Sequence, residues 1–98
     1  MEIKINAVGF SASAQLEEFI GKKLSKLEKS HKDIVKIDVI LKLEKDDKFE
    51  NKLAEVSISV KGQSVFAKKN AKTFEEAIDE LHEVLKRQLV KIKEKDRQ

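Results

Sequence analysis

Apolar and polar residues alternate at the start of the chain. Ile3, Ile5 and Ala7 fall on one side and Glu2, Lys4 and Asn6 on the other, the period of two of a half-buried strand, which breaks at Gly9. From Ser13 the period changes. Leu16, Phe19, Ile20, Leu24 and Leu27 recur at spacings of three and four, predicting a helix of about four turns, capped by Ser13 and ending near Ser30 and His31. Alternation returns over residues 35–43, where Val35, Ile37, Val39, Leu41 and Leu43 oppose Lys36, Asp38, Ile40 and Lys42. The polar run from Lys45 to Asn51 reads as a connection, followed by a third strand carrying Ala54, Val56, Ile58 and Val60. Gly62 and Gln63 predict a turn into a short fourth strand with Val65 and Ala67. Thr73 and Glu76 match a capping box, behind which Phe74, Ile78, Leu81, Leu85, Leu89 and Ile92 predict a helix of about five turns.

The order is strand, helix, three strands, helix. A strand–helix–strand opening favours a right-handed crossover that leaves the first two strands parallel, and the later strands follow as an antiparallel meander. Both helices can then cover one face of the sheet. The expected fold is α+β: a β-α-β-β-β-α two-layer sandwich with a four-stranded mixed sheet, in one domain over residues 1–98.

Composition narrows the chemistry. Without cysteine there are no disulfides, thiolate nucleophiles or thiolate metal ligands. The alternating N-terminus is not a signal peptide, and no window approaches the roughly 20 apolar residues of a membrane span, so a cytoplasmic protein is expected. His31 lies at a helix end, where a dipole contact accounts for it, and His82 borders the second apolar stripe. Neither has the ligand spacing of a metal motif. The glycines are isolated, and the acid pairs Asp46-Asp47 and Glu75-Glu76 read as loop and cap. No enzyme, cofactor, metal or small-molecule substrate is expected. An aromatic stacking platform for single-stranded bases is not expected: there is no Tyr or Trp, and Phe19 and Phe74 sit on core stripes, while Phe10, Phe49 and Phe66 are open between core and surface.

The net charge of +3 conceals its distribution. Lys22, Lys23, Lys26, Lys29 and Lys32 against Glu28 give +4 around the end of the first helix. Lys86, Arg87, Lys91, Lys93, Lys95 and Arg97 against Glu94 and Asp96 give +4 at the end of the second, leaving −5 elsewhere. At about 100° per residue, Lys22, Lys26 and Lys29 form one stripe, Lys86, Lys93 and Arg97 line one flank of the second helix, and Arg87 and Lys91 line the other. Glu75, Glu76, Asp79, Glu80 and Glu83 make the front of that helix acidic. Such polarity complements helix dipoles as solvated surface, and it equally suits a polyanion.

The text of the helices resembles the ribosome hibernation-promoting factor family, which includes the ribosome-associated inhibitor and carries the older label of sigma-54 modulation protein. The resemblance lies in Ala77-Ile78-Asp79, in Leu85-Lys86-Arg87-Gln88-Leu89 followed by Lys91, Lys93 and Lys95, and in Leu16-Glu17-Glu18-Phe19 with Lys23 and Lys26-Leu27-Glu28. Residues Val39 to Lys45 resemble the family's second strand. It implies a domain akin to double-stranded RNA-binding folds that lodges in the decoding channel of the small ribosomal subunit. There it would contact ribosomal RNA, exclude messenger and transfer RNA, and silence translation in stationary phase or stress. By position it assigns RNA contact to Lys23, Lys26, Lys86, Arg87 and Lys91; charge geometry adds Lys22, Lys29 and Lys93. The family's second helix usually opens with an acidic cap, an apolar residue and a tyrosine, where this chain has Thr73, Phe74 and Glu75. Ending at Gln98, the chain is expected to be a short form without the dimerising second domain, monomeric off the ribosome. Two other readings stay open: a general double-stranded RNA binder, and a protein-interaction module using the acidic front of the second helix.

Overall fold

The computed structural model describes residues 1–44 and 50–96, the last three by backbone alone. Strand β1 spans Glu2–Val8, helix α1 Ala14–Ser25, β2 Ile34–Leu43, β3 Lys52–Val60, β4 Gln63–Ala71 and α2 Phe74–Asp96. The sheet order is β1-β2-β3-β4, with β1 parallel to β2 and the other pairs antiparallel. This is the expected β-α-β-β-β-α mixed sheet. Most of the expected connection, residues 45–49, lies outside the described residues, as does Arg97.

Register explains why one face is apolar. Ile3 pairs with Ile37, which pairs with Ile58, which pairs with Val65; Ile5, Val39, Val56 and Ala67 form the next row. These rows join Leu16, Ile20 and Leu24 of α1 and Ile78, Leu81, Leu85 and Leu89 of α2 in one core cluster, so both helices pack on the same face. Phe10, just after β1, stacks on Phe74 at the start of α2, with ring centroids 5.2 Å apart and planes 6° from parallel. The stack joins the entries to the two helices. Ser13 caps α1 by accepting the Leu16 N–H at 3.1 Å, and Thr73 caps α2 by accepting the Glu76 N–H at 3.1 Å.

Several details differ from expectation. Helix α1 stops at Ser25 and continues as a 3₁₀ turn over Lys26–Lys29. Ser25 Oγ donates to the Lys22 carbonyl at 3.0 Å, competing with the α-helical donor for that acceptor. In β2 it is Ile34, not Val35, that faces inward. The pairing with β3 shifts register between Ile34 and Lys36, so Val35 is the extra residue of a bulge and is 59% exposed. Leu43, at the strand end, is also exposed. Finally, β4 is not short: it continues through Lys68, Lys69 and Asn70, because β3 pairs with it to Ala71 and Asn70 donates a hydrogen bond to Glu44.

His31 is buried rather than set against a helix dipole. Its Nδ1 accepts the Asp33 N–H at 3.1 Å, which holds the turn into β2. At the β3–β4 turn Gly62 has φ +84°, a left-handed conformation that disfavours any side chain there.

These placements predict unequal effects of truncation. Ile58→Ala removes a fully buried side chain from a central strand and is expected to lower stability by about 2–5 kcal/mol, whereas Val35→Ala in the exposed bulge should change it by less than about 1 kcal/mol. Urea unfolding midpoints of the two variants check this.

Candidate nucleic-acid interface

A helix that buries one stripe against a sheet must turn its lysines outward, and the structure shows where each one goes. On α1, Lys22 is exposed and pairs with Glu18 one turn earlier at 3.1 Å, an arrangement worth a few tenths of a kcal/mol. It borders a concavity of about 270 Å³ with Gln15, Glu18 and Phe19. Lys23 instead reaches across to α2, its Nζ 3.2 Å from Asp79 Oδ1, and its side chain is 30% exposed. Lys26 and Lys29 lie in the 3₁₀ turn, where residues three apart eclipse, so they stand one above the other in place of continuing an α-helical stripe from Lys22.

On α2, Lys86, Arg87 and Lys91 are exposed and Lys93 is half-buried. Lys86, Arg87 and Lys91 line one concavity of about 470 Å³, together with Glu83 and Val90. The sequence set Lys86 on one flank and Arg87 with Lys91 on the other. Their long stems converge because short Val90, 38% exposed, sits between them as an apolar floor. Lys22, Lys29 and Lys93 lie outside this lining, and so does Lys26. Among the described residues, none of Lys26, Lys29, Lys86, Arg87, Lys91 and Lys93 has a carboxylate within 4.0 Å; only Lys22 and Lys23 of the eight candidates are ion-paired.

Glu83 ties the two basic clusters together. Its carboxyl is held below its ordinary value of 4.5 chiefly by the hydrogen bond from His82; burial is the next largest effect and opposes it, and the charges of His82, Lys86 and Lys23, each smaller, add to the lowering. His82 Nδ1 lies 2.9 Å from Glu83 Oε2. The Lys23–Asp79 contact places the end of α1 beside the first half of α2, and Glu83, one turn further along, is within range of a lysine from each helix. The acidic front is largely engaged as well: Asp79 with Lys23, Glu80 with Lys69 at 3.9 Å, and Glu83 with His82. Composition could not reveal Glu83 and Val90 as parts of the lining, although the spacing of 83, 87 and 91 puts three of its members one turn apart.

Among the described residues there is no group of three His, Cys, Asp or Glu side chains arranged to hold a metal, and no helix long and apolar enough to cross a membrane. Residues 3–97 match the family described as sigma 54 modulation protein / S30EA ribosomal protein. The chain belongs to that family. Among solved structures, this S30EA-family chain is similar to a ribosomal subunit interface protein from Coxiella burnetii, with a TM-score of 0.83 and 25% identity over 95% of this chain and 98% of that one. The N-terminal domain of Protein Y from Thermus thermophilus shares the fold, with a TM-score of 0.80 and 22% identity over 94% of this chain and 99% of that one. A search of curated protein sequences finds no significant match.

The Glu83 environment predicts a titration. Because its folded pKa is depressed, the stabilisation it brings is complete above pH 4.5 and is lost as pH falls through its lower midpoint in the folded protein. Carboxyl-resolved NMR should find that midpoint below 4.5. His82→Ala should raise it more than Lys86→Ala does, since the hydrogen bond is the larger cause.

Proposed function

We propose that this chain is a ribosome-binding translation inhibitor without catalytic activity, a single domain over residues 1–98 that acts in the cytoplasm. It lodges in the decoding channel of the small subunit. Lys23, Lys26, Lys86, Arg87 and Lys91, with Lys22, Lys29 and Lys93 around them, neutralise phosphates of ribosomal RNA, and the body of the domain excludes messenger and transfer RNA. Its setting is the stationary or stressed cell, and off the ribosome it is a monomer. The observation that carries this reading is the match of residues 3–97 to the S30EA ribosomal protein family. It is supported by the likeness to a ribosomal subunit interface protein and by a basic concavity in which three cations outnumber the one acid, Glu83, and make no ion pair within 4.0 Å among the described side chains.

The mechanism is occlusion. Phosphate neutralisation releases counterions, so affinity is strongly salt-dependent, while the apolar core keeps the two helices at fixed separation so that both clusters engage at once. Lys23 gives up Asp79 for a phosphate; that partly exposed pair is worth about 1 kcal/mol, so the exchange is readily reversed. A protein-interaction role through the front of α2 is less favoured, because Asp79, Glu80 and Glu83 already have cationic neighbours within the chain.

Co-sedimentation with purified small subunits at rising salt tests the proposal. The wild type is expected to pellet with subunits and to be released by salt. Lys26→Ala/Arg87→Ala/Lys91→Ala should bind more weakly, with a slope of log affinity against log salt shallower by about 2 to 3. Equal, salt-insensitive binding by both proteins overturns it.

A further inference from the structure

Phe66 is out of phase with its strand. Val65 and Ala67 turn toward the helices, so Phe66 projects from the opposite face of the sheet, where it is 52% exposed. Of the described aromatic rings it alone is an exposed one: Phe10 and Phe74 stack on each other, and Phe19 packs against the core.

Its surroundings are specific. Ser57 is directly across on β3, Ser64 precedes it by two on the same strand, and Ser59 pairs with Ser64. A period of two puts all four side chains on one face, with Lys68 following on the same side. The ring therefore stands in a frame of three hydroxyls and one ammonium, with Lys61 in the turn beyond Ser64. Among the described residues, none of these hydroxyls makes a hydrogen bond and neither lysine has an acid within 4.0 Å. The nearby acids are taken: Asp38 pairs with Lys36 at 3.5 Å, and Glu55, although opposite Lys68 in register, pairs with Lys42 at 3.6 Å.

We propose that this open sheet face is a second nucleic-acid site, on which an unpaired RNA base stacks against Phe66. The three serine hydroxyls serve its polar edge or the ribose 2′-hydroxyl, and Lys61 and Lys68 neutralise the flanking phosphates. A single flat ring ringed by small hydroxyls and uncompensated cations fits a base and its backbone. A protein partner would call for a contiguous apolar patch around its anchor, and the immediate neighbours of Phe66 are serines. The choice of RNA over DNA rests on the ribosomal reading above; the stacking site does not. Because the helices lie on the other face, the domain grips RNA from two sides, phosphates by the helices and a splayed base by the sheet.

With no Trp or Tyr in the chain, Phe66→Trp supplies a unique fluorophore at the site. Titration with a single-stranded oligoadenylate RNA is expected to quench it saturably, and Lys26→Ala/Arg87→Ala/Lys91→Ala in the same background should retain the quench. Phe66→Ala and Phe66→Leu should each weaken oligoadenylate binding at least about fivefold by fluorescence anisotropy of the labelled RNA. Affinity equal to wild type in both variants overturns the site. If those variants also still pellet with small subunits, the ribosomal reading stands without it. Phe66-dependent oligoadenylate binding by a protein that fails to pellet with subunits supports the site and overturns the ribosomal reading instead.

Discussion

One constraint organises the molecule: a single apolar face of a four-stranded sheet must be kept from water, and two helices are available to cover it. Each buried Leu or Ile contributes about 1.5–3 kcal/mol, whereas an exposed ion pair contributes about 0–1 kcal/mol. The rotation of each helix about its axis is therefore decided by Leu16, Ile20 and Leu24 on α1 and by Ile78, Leu81, Leu85 and Leu89 on α2, all in the same cluster with the sheet. The lysines take what remains. That the charged surface is coherent follows from the core, since residues one turn apart on the outer side of a helix whose inner side is fixed must lie together.

Within that surface the acids and bases divide unevenly. Acidic groups at the front of α2 find cations inside the chain, from α1 at Lys23, from β4 at Lys69 and from the neighbouring His82. Lys86, Arg87 and Lys91 form no ion pair within 4.0 Å among the described side chains, share their concavity with Glu83 alone of the acids, and surround a shallow apolar floor. The field of such a region reaches roughly 8 Å into physiological salt, enough to orient an approaching polyanion before contact. Glu83 sits at the boundary, under the influence of lysines from both helices.

Periodicity exposed the elements, their order and the face each buries, because those depend on local repeats of two and 3.6 residues. It failed where a single hydrogen bond or an inserted residue decides. The bulge at Val35 is invisible to an alternation count, since Val35 and Ile34 are both apolar and only pairing with β3 chooses between them. The 3₁₀ turn at Lys26 depends on where the Ser25 hydroxyl points. The polar end of β4 carries no strand signal of its own and is ordered by its neighbour. For the charged surface, residue types and turn spacing were legible. The pairing of Lys23 with Asp79, 56 positions away, was not, because nothing local encodes it. Phe66 did leave a trace in the sequence: an aromatic residue standing in the polar phase between Val65 and Ala67.

The position of α2 in the chain bears on how the protein is made. It is the last element in order, yet it supplies Ala77, Ile78, Leu81, Leu85 and Leu89 to the core and closes over β3 and β4. As synthesis proceeds from the N-terminus, the sheet can pair and α1 can dock while the half of the apolar face beneath α2 stays bare. The Phe10–Phe74 stack likewise waits on a ring emerging 64 residues after its partner. Cooperative folding of this domain is thus deferred until α2 has left the exit tunnel, and a nascent chain arrested in the α2 segment presents to chaperones the surface that the finished domain hides.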